Sequence, residues 1–571
     1  MDQDAPVKSG AVSPIPTALV GVAIASMAVN LLALTGPLFM LQIYDRVLPS
    51  GSVPTLVALV ALVTVLYAFF TVLDATRARM LTRIGQHLVT VLAPRAFDGA
   101  MAIALHVTKR PRPQPIRDLD QVRQFLSGSG PVAIVDLPWL PLYLAVVFLF
   151  HPVLGWVATG GALVMVCLMV AADLLAARPT ATAQTLGAAR ADLAVAATDS
   201  AEAAAAMGFD HALRQRWIDE SDRHLAAQRS GADRASAFGA AIKGWRFLLQ
   251  SVILGAGALL AISGEISPGI MIAASIVAAR ALAPVEQAIA HWRGFVAARA
   301  SWKSLKSAIA AGPAAGAITP LPQPGQRLEI TALAVAPPGM RAPIVHDVSF
   351  ALDAGDALGV IGPSGSGKST LARALVGAWP PLRGSVRLDG ADLDQWQRDD
   401  RGRFIGYVPQ DAQLIEGTVA QNIARFENDA PAEAVVEAAR LANAYELITG
   451  LPKGFDTEVG ISGMALSAGQ RQRIALARAF YGRPFLIVLD EPNANLDNVG
   501  EEALAAAVRA MRESGSIVIV VAHRPSTLAM VNKILVVRDG VQAGFGPKEG
   551  VLPAFVAQRP AANSQKVVAG A

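Results

Sequence analysis

The stretch Gly362-Pro363-Ser364-Gly365-Ser366-Gly367-Lys368-Ser369-Thr370 fits the phosphate-loop pattern G-x-x-x-x-G-K-[ST] at every position. Residues 357–361, Ala-Leu-Gly-Val-Ile, read as a buried strand running into it, and residues 371–376 as a helix leaving it. The glycines let the backbone curl so that successive N–H groups and the helix N-terminus point at phosphate oxygens. Lys368 is then expected to reach the β- and γ-phosphates of a nucleotide, and the Ser369 hydroxyl to ligate Mg²⁺. The expected fold around this loop is an α/β domain.

Two further strand ends fit the same site. Residues 485–492, Phe-Leu-Ile-Val-Leu-Asp-Glu-Pro, form an apolar strand closing on two acids. Asp490 suits Mg²⁺, and Glu491 is placed to polarise an attacking water. Residues 516–523 form another apolar strand, ending at His523. Strand ends in an open α/β sheet converge on the ligand crevice, so His523 is expected to contact the γ-phosphate.

The rest of the chain is different. It has 571 residues, too many for one core, with 53% hydrophobic and only 16% charged. Mean hydropathy is +0.42, too apolar for a wholly soluble protein, so the excess belongs in membrane spans. Net charge is +4 with no concentrated basic patch, which argues against nucleic-acid binding. Cys167 is the single cysteine, which excludes disulfides within the chain and Cys-rich metal sites; in its apolar run it is expected to be a small buried hydrophobe.

Charge-poor apolar segments at 15–40, 53–72, 132–150, 154–172, 247–262 and 268–282 read as six membrane helices. Arg280 falls near the end of the sixth, as expected if that end projects into the cytoplasm. Basic residues crowd the loops after spans two and four, from Arg77 to Arg123 and from Arg178 to Lys243, while the other connections are almost free of them. Both long loops and both termini are therefore expected on the cytoplasmic side. Residues 74–105 and 179–228 are rich in helix formers and read as spans continuing beyond the bilayer. A short helix is expected at 117–125, and the tip of the second loop near 203–211. Asp136 is the one acid inside an expected span, about one turn from the cytoplasmic interface by helical rise, and reads as a hydrated or capped interfacial acid. Residues 1–14 form a short leader, 15–311 the membrane domain, 312–327 a Gly/Pro-rich linker, 328–555 the α/β domain and 556–571 a polar tail.

Between the two acid-bearing motifs stands Leu466-Ser467-Ala468-Gly469-Gln470-Arg471-Gln472-Arg473. With it the chain resembles the ATP-binding cassette exporters, in which an α-helical domain of six transmembrane helices is fused to one nucleotide-binding domain. Leu466 to Gln470 is similar to the family signature, usually Leu-Ser-Gly-Gly-Gln. Gln410 in Tyr407-Val408-Pro409-Gln410 is similar to the Q-loop, which adds Gln410 to the catalytic and Mg²⁺-binding candidates. Asp490-Glu491 resembles Walker B, Asn495-Leu496-Asp497 the D-loop, and His523 the switch histidine. The resemblance implies ATP as substrate and a homodimer, with Ser467, Gly469 and Gln470 of one copy closing on ATP held by the other.

Residues 36–50, Gly-Pro-Leu-Phe-Met-Leu-Gln-Ile-Tyr-Asp-Arg-Val-Leu-Pro-Ser, resemble the end of span one in type I secretion exporters. Asp136-Leu137-Pro138-Trp139-Leu140-Pro141 and residues 493–497 are similar to the protease- and RTX-exporting, PrtD-like branch. That resemblance implies an exporter in the bacterial inner membrane, surrounded by lipid. It implies an unfolded protein cargo with a C-terminal signal, a periplasmic membrane-fusion adaptor and an outer-membrane channel. The leader has no cysteine, so a leader-cleaving cysteine-peptidase domain is not expected. Two rival readings share the ATPase: export of lipid or small amphiphiles, and a membrane ATPase that senses rather than transports.

Three departures from the family pattern stand out. Ala468 replaces the usual first signature glycine, tolerable if residue 468 has a helical φ. Ile461 stands where many exporters have a Glu thought to contact the coupling loops. The segment Ala334-Val335-Ala336-Pro337-Pro338 offers no aromatic to stack on adenine, so weak base selectivity is expected.

Overall fold

The computed structural model describes residues 14–106, 114–312, 321–460, 463–522 and 525–557. They form two compact units that divide near residue 314. Residues 107–113 within the first basic loop, Ile461, His523 and the polar tail from 558 lie outside the described residues.

The first unit is helical: α1 (Pro14–Leu32), α2 (Thr35–Gln42), α3 (Leu48–Ser50), α4 (Val53–His106), α5 (Pro115–Leu126), α6 (Gly130–Asp136), α7 (Leu140–Phe150), α8 (Pro152–Asp199), α9 (Ala201–Met207), α10 (Asp210–Ile262) and α11 (Pro268–Ala311). Among the described residues six segments are long and apolar enough to cross a membrane, Thr17–Ser50, Val53–Leu105, Gly130–Phe150, Pro152–Ala172, Asp210–Ile262 and Pro268–Ala311. Spans two, four, five and six run unbroken into extensions, as the helix-forming composition of the loops requires.

Prolines explain the interruptions. Pro37 has no N–H to give Ala33, and the first span breaks at residues 33–34. Pro138 and Pro141 turn the third span into a short 3₁₀ segment at Leu137–Trp139. At the opposite end, Pro152 and Pro268 sit at first helical positions, where the missing N–H costs nothing. Ser267 caps α11 by accepting from the Ile270 N–H at 3.2 Å. Gly208, at φ +69°, ends α9 and makes the tip of the second long hairpin, inside the expected window. The expected short helix at 117–125 is α5, which packs against α11: Leu119 is buried with Leu305, and Ser301 donates to the Gln121 amide oxygen at 3.2 Å.

One side chain departs from expectation, and another decides between two alternatives. Cys167 is exposed on the outside of α8, because Ala162 and Met165 point inward and position 167 falls on the opposite face. Of the two alternatives expected for Asp136, hydrated or capped, the structure gives the capped one. It is buried, and its carboxylate accepts from Arg77 Nη1 at 2.8 and 3.0 Å, from Asn30 Nδ2 at 2.8 Å and from the Ser26 hydroxyl. A buried carboxylate persists only when charge-paired and saturated with donors, and α1 and α4 supply them here.

The second unit carries a ten-stranded sheet in the order β5-β4-β1-β2-β10-β9-β3-β8-β7-β6. Its strands are β1 (Arg327–Val335), β2 (Val345–Asp353), β3 (Ala357–Ile361), β4 (Arg383–Leu388), β5 (Ala391–Asp392), β6 (Ile405–Val408), β7 (Leu486–Asp490), β8 (Ile517–Val521), β9 (Lys533–Arg538) and β10 (Val541–Pro547). β9, β3, β8, β7 and β6 are mutually parallel. Their continuous apolar sequences follow from burial on both faces. Ile487, Leu489, Val518 and Val520 join one core, while Leu486, Val488, Ile519 and Val521 join the other. The antiparallel pairs β1–β2 and β1–β4 lie toward the other edge.

Candidate functional site

Because β3, β8, β7 and β6 are parallel neighbours, the loops after them emerge at one edge of the sheet. The phosphate loop follows β3, Gln410 follows β6 by two residues, and Asp490 and Glu491 end β7. His523, two residues past β8, is outside the described residues.

The loop itself is dictated by glycine. A Cβ on Gly362 would stand 2.0 Å from the Val537 carbonyl oxygen, so no other residue fits. Gly367 has φ +97° and is followed directly by helix α12 (Lys368–Leu375). This helix leaves the loop with N–H groups that have no intrahelical partner, a ready anion site. Lys368 is buried, and its ammonium donates to the carbonyls of Gly362 and Pro363 at 3.0 and 2.7 Å. Burial pushes its pKa down, and the charges of Glu491 and Asp490 oppose that.

The acidic side of the site is equally ordered. The Ser369 hydroxyl donates to Asp490 Oδ1 at 3.1 Å. Asp490 is fully buried and its Oδ2 has no hydrogen-bond partner. Burial first, then the neighbouring Glu491 charge, push its carboxyl above the usual carboxylate range. A hydroxyl beside a buried carboxylate with an unused oxygen is the donor set a hard cation takes, so these residues fit Mg²⁺. Among the described residues no group of three His, Cys, Asp or Glu side chains could hold a metal alone, as expected where nucleotide phosphates complete the shell.

Glu491 adopts φ +54°, a left-handed conformation that costs a non-glycine residue about 1–3 kcal/mol. It is held there by its N–H bond to the Val521 carbonyl at 3.3 Å, and Gln410 Nε2 donates to its Oε2 at 3.4 Å. The strain aims the second acid differently from the first. Gln472 Nε2 donates to the Pro492 carbonyl at 2.9 Å and fixes the turn just beyond. Sequence reading passed over Gln472. Its signal was a polar residue on the apolar stripe 472, 475, 476 and 479, all buried in the helix Ala468–Phe480.

Ser467 is the N-cap of that helix. Its hydroxyl accepts from the Gln470 N–H at 3.3 Å while the Gln470 side chain accepts from the Ser467 N–H at 2.8 Å, a complete capping box. Ala468 is the first helical residue, so its methyl causes no backbone strain. A Cβ on Gly469 would meet the Asn495 carbonyl oxygen at 3.1 Å. Arg473 pairs with Asp497 at 2.8 Å, and Asp497 caps the Gly500 N–H at 2.9 Å. The signature therefore contacts the segment after Walker B, and Ser467 and Ala468 remain exposed.

Residues 19–282 match the family described as ABC transporter transmembrane region, and residues 345–494 match ABC transporter. The chain is 50% identical over 555 residues to the type I secretion system ATP-binding protein PrsD of Rhizobium meliloti (strain 1021), covering 97% of this chain and 95% of that one. It is 29% identical to the toxin RTX-I translocation ATP-binding protein of Actinobacillus pleuropneumoniae, over 90% of this chain and 74% of that one. A solved bacterial Atm1-family ABC exporter with ATP bound has the same fold, with a TM-score of 0.83, 21% identity, and coverage of 96% of this chain and 99% of that one.

Proposed function

The chain belongs to the ATP-binding cassette transporters, within the type I secretion branch, and from that premise we propose that it is the ATP-driven component exporting an unfolded protein with a C-terminal signal. The identity to PrsD over 97% of the chain is the observation that carries the cargo class. In this reading residues 15–311 are the membrane domain and 328–555 the cassette, joined by a linker at 312–327.

The site residues divide the work of hydrolysis. Backbone N–H groups from Gly362 to Thr370 and the Lys368 ammonium bind the phosphates, the ammonium leaving the Gly362 and Pro363 carbonyls to do so. Ser369, Asp490 and Gln410 would hold Mg²⁺, which when bound neutralises developing phosphate charge. Glu491 orients the attacking water and accepts its proton, with Gln410 fixing the carboxylate. His523 contacts the γ-phosphate.

Two copies complete the site. Ser467, Gly469 and Gln470 of one protomer close on ATP held by the other, and the exposure of Ser467, with Gly469 and Gln470 half-buried beside it, on the surface of a single chain supports this. Closure follows ATP binding because the phosphates become ligands of both chains, and hydrolysis releases it. The homodimer lies in the inner-membrane lipid with its cassettes in the cytoplasm, and passes cargo to a periplasmic adaptor and an outer-membrane channel. The test is deletion of this chain followed by analysis of proteins in the medium. Loss of a protein with a C-terminal signal, restored by the wild-type chain but not by Glu491→Gln, is expected. An unchanged set of secreted proteins overturns the reading.

A further inference from the structure

Glu491 stands in a conformation that its own sequence does not favour. A φ of +54° is strained for a residue with a side chain, and the following Pro492 pushes the residue before it toward extended backbone. Such a conformation persists only where tertiary contacts hold it. Three reach this turn. The Val521 carbonyl, at the end of β8, accepts from the Glu491 N–H at 3.3 Å. Thr527 Oγ1 accepts from Asn493 Nδ2 at 3.2 Å. Gln472 Nε2 donates to the Pro492 carbonyl at 2.9 Å. Of the three, only Gln472 comes from the signature helix, Ala468–Phe480.

That helix meets the segment after β7 with one face. Gly469, Gln472 and Arg473 are spaced i, i+3, i+4, and they approach Asn495, Pro492 and Asp497 respectively. Gln472 is the buried member, 2% exposed, and Pro492 is buried with it. Water therefore has no access to take the place of the amide, and an apolar side chain there would take this donor from a buried carbonyl.

The other end of the helix is the surface-facing signature. Its N-cap, Ser467, lies five residues before Gln472, about 7.5 Å along the axis. Packed helices shift as rigid bodies rather than deforming continuously, so a ligand that draws Ser467 also shifts Gln472 and the turn that aims Glu491.

We propose that Gln472 is a positioning residue for hydrolysis: it holds Glu491 of its own chain in place and makes that hold depend on the signature helix. This rests on the head-to-tail dimer reading above, in which Ser467 of this chain meets ATP bound by the partner. Nucleotide in the partner's site thereby sets the acid of this chain's own site, and the two sites hydrolyse as a linked pair.

The experiment uses the full chain in detergent. Gln472→Met keeps the length of the side chain and removes the donor. Its ATP turnover at saturating nucleotide should fall about tenfold or more. Its ATP dissociation constant, measured without Mg²⁺, should stay within about twofold of wild type, because the phosphate loop is untouched. Where Gln472→Met fails to fold, Gln472→Asn, whose amide falls one methylene short, carries the same comparison. Unchanged turnover overturns the proposal whether or not the chain dimerises.

Mixed dimers isolated with two affinity tags then show which site is affected. One copy carries Glu491→Gln, so only the other copy's site turns over. Gln472→Met in the copy with intact Glu491 should lower that turnover about tenfold, and in the Glu491→Gln copy should leave it within about twofold. Loss in the second arrangement, alone or equal to the first, overturns the proposal by making Gln472 a support of the signature or of the whole fold. Adding Lys368→Ala to the Glu491→Gln copy, which weakens nucleotide binding there, should slow the intact site, with little further loss from Gln472→Met. Fully additive losses overturn the link. Absence of any mixed dimer would overturn the head-to-tail reading and the link with it, while turnover of Gln472→Met still decides the positioning role.

Discussion

Asp136 and Arg77, fifty-nine residues apart in sequence, form a buried ion pair at 2.8 Å that joins α6 to α4. The Arg77 side chain is 6% exposed, so neither charge can fall back on solvent if the other is removed. Removing one partner of a buried pair costs about 3–5 kcal/mol, whereas replacing both with apolar residues is often neutral. Asp136→Ala and Arg77→Ala should therefore each lower the thermal midpoint of the purified protein in detergent by several degrees. An Asp136→Leu, Arg77→Met double variant should recover most of the loss. Additive losses in the double variant would show that the two residues act independently.

Glu491→Gln removes the proton acceptor but keeps an amide able to meet Gln410. ATP turnover should fall by about 10²–10⁴-fold while ATP binding is retained, leaving a closed dimer trapped on ATP. Size-exclusion chromatography of the variant with ATP reads the trapped state. Steady turnover near wild type would remove Glu491 from the catalytic role.

Asp490 sets a pH signature. Its folded carboxyl is raised above the ordinary aspartate value of 3.8, so the folded state holds a proton that the unfolded chain has already released. This group thus favours folding as pH falls through its folded pKa, and the benefit is lost as pH rises through it. Without nucleotide or cation, Asp490→Asn should stabilise the protein at neutral and alkaline pH, and the difference should shrink on acidification toward 3.8. A difference independent of pH, read by thermal melts, would contradict the assignment to burial.

The two signature substitutions should behave oppositely. Ala468→Gly restores the usual family residue at a position that already has helical geometry, so turnover should stay near wild type and stability should change by no more than about 0.5–1 kcal/mol. Gly469→Ala drives a methyl to within 3.1 Å of the Asn495 carbonyl and onto the surface proposed to meet the partner's ATP. Turnover should fall about tenfold or more, equivalent to about 1.4 kcal/mol in the barrier.

The segment 334–338 brings no ring to the end of β1, where Val335 and Ala336 are buried. Without stacking worth about 1–3 kcal/mol per base, GTP should be hydrolysed within about tenfold of ATP at equal concentration. Much slower GTP turnover would reveal a base contact from elsewhere.

What the sequence by itself determined was whatever depends on neighbours along the chain. The apolar runs announced six spans and the parallel strands, and composition announced the helical extensions. The phosphate loop was legible because its function resides in consecutive backbone N–H groups. The tertiary structure alone decided the pairings across distance: Arg77 with Asp136, Gln410 with Glu491, and Ser369 with Asp490, separated by 59, 81 and 121 residues. It also made Asp136 a buried ion-pair partner and set Cys167 on an outer face. A side chain's burial and charge partners are set by helices brought together from remote parts of the chain, and no local pattern encodes them.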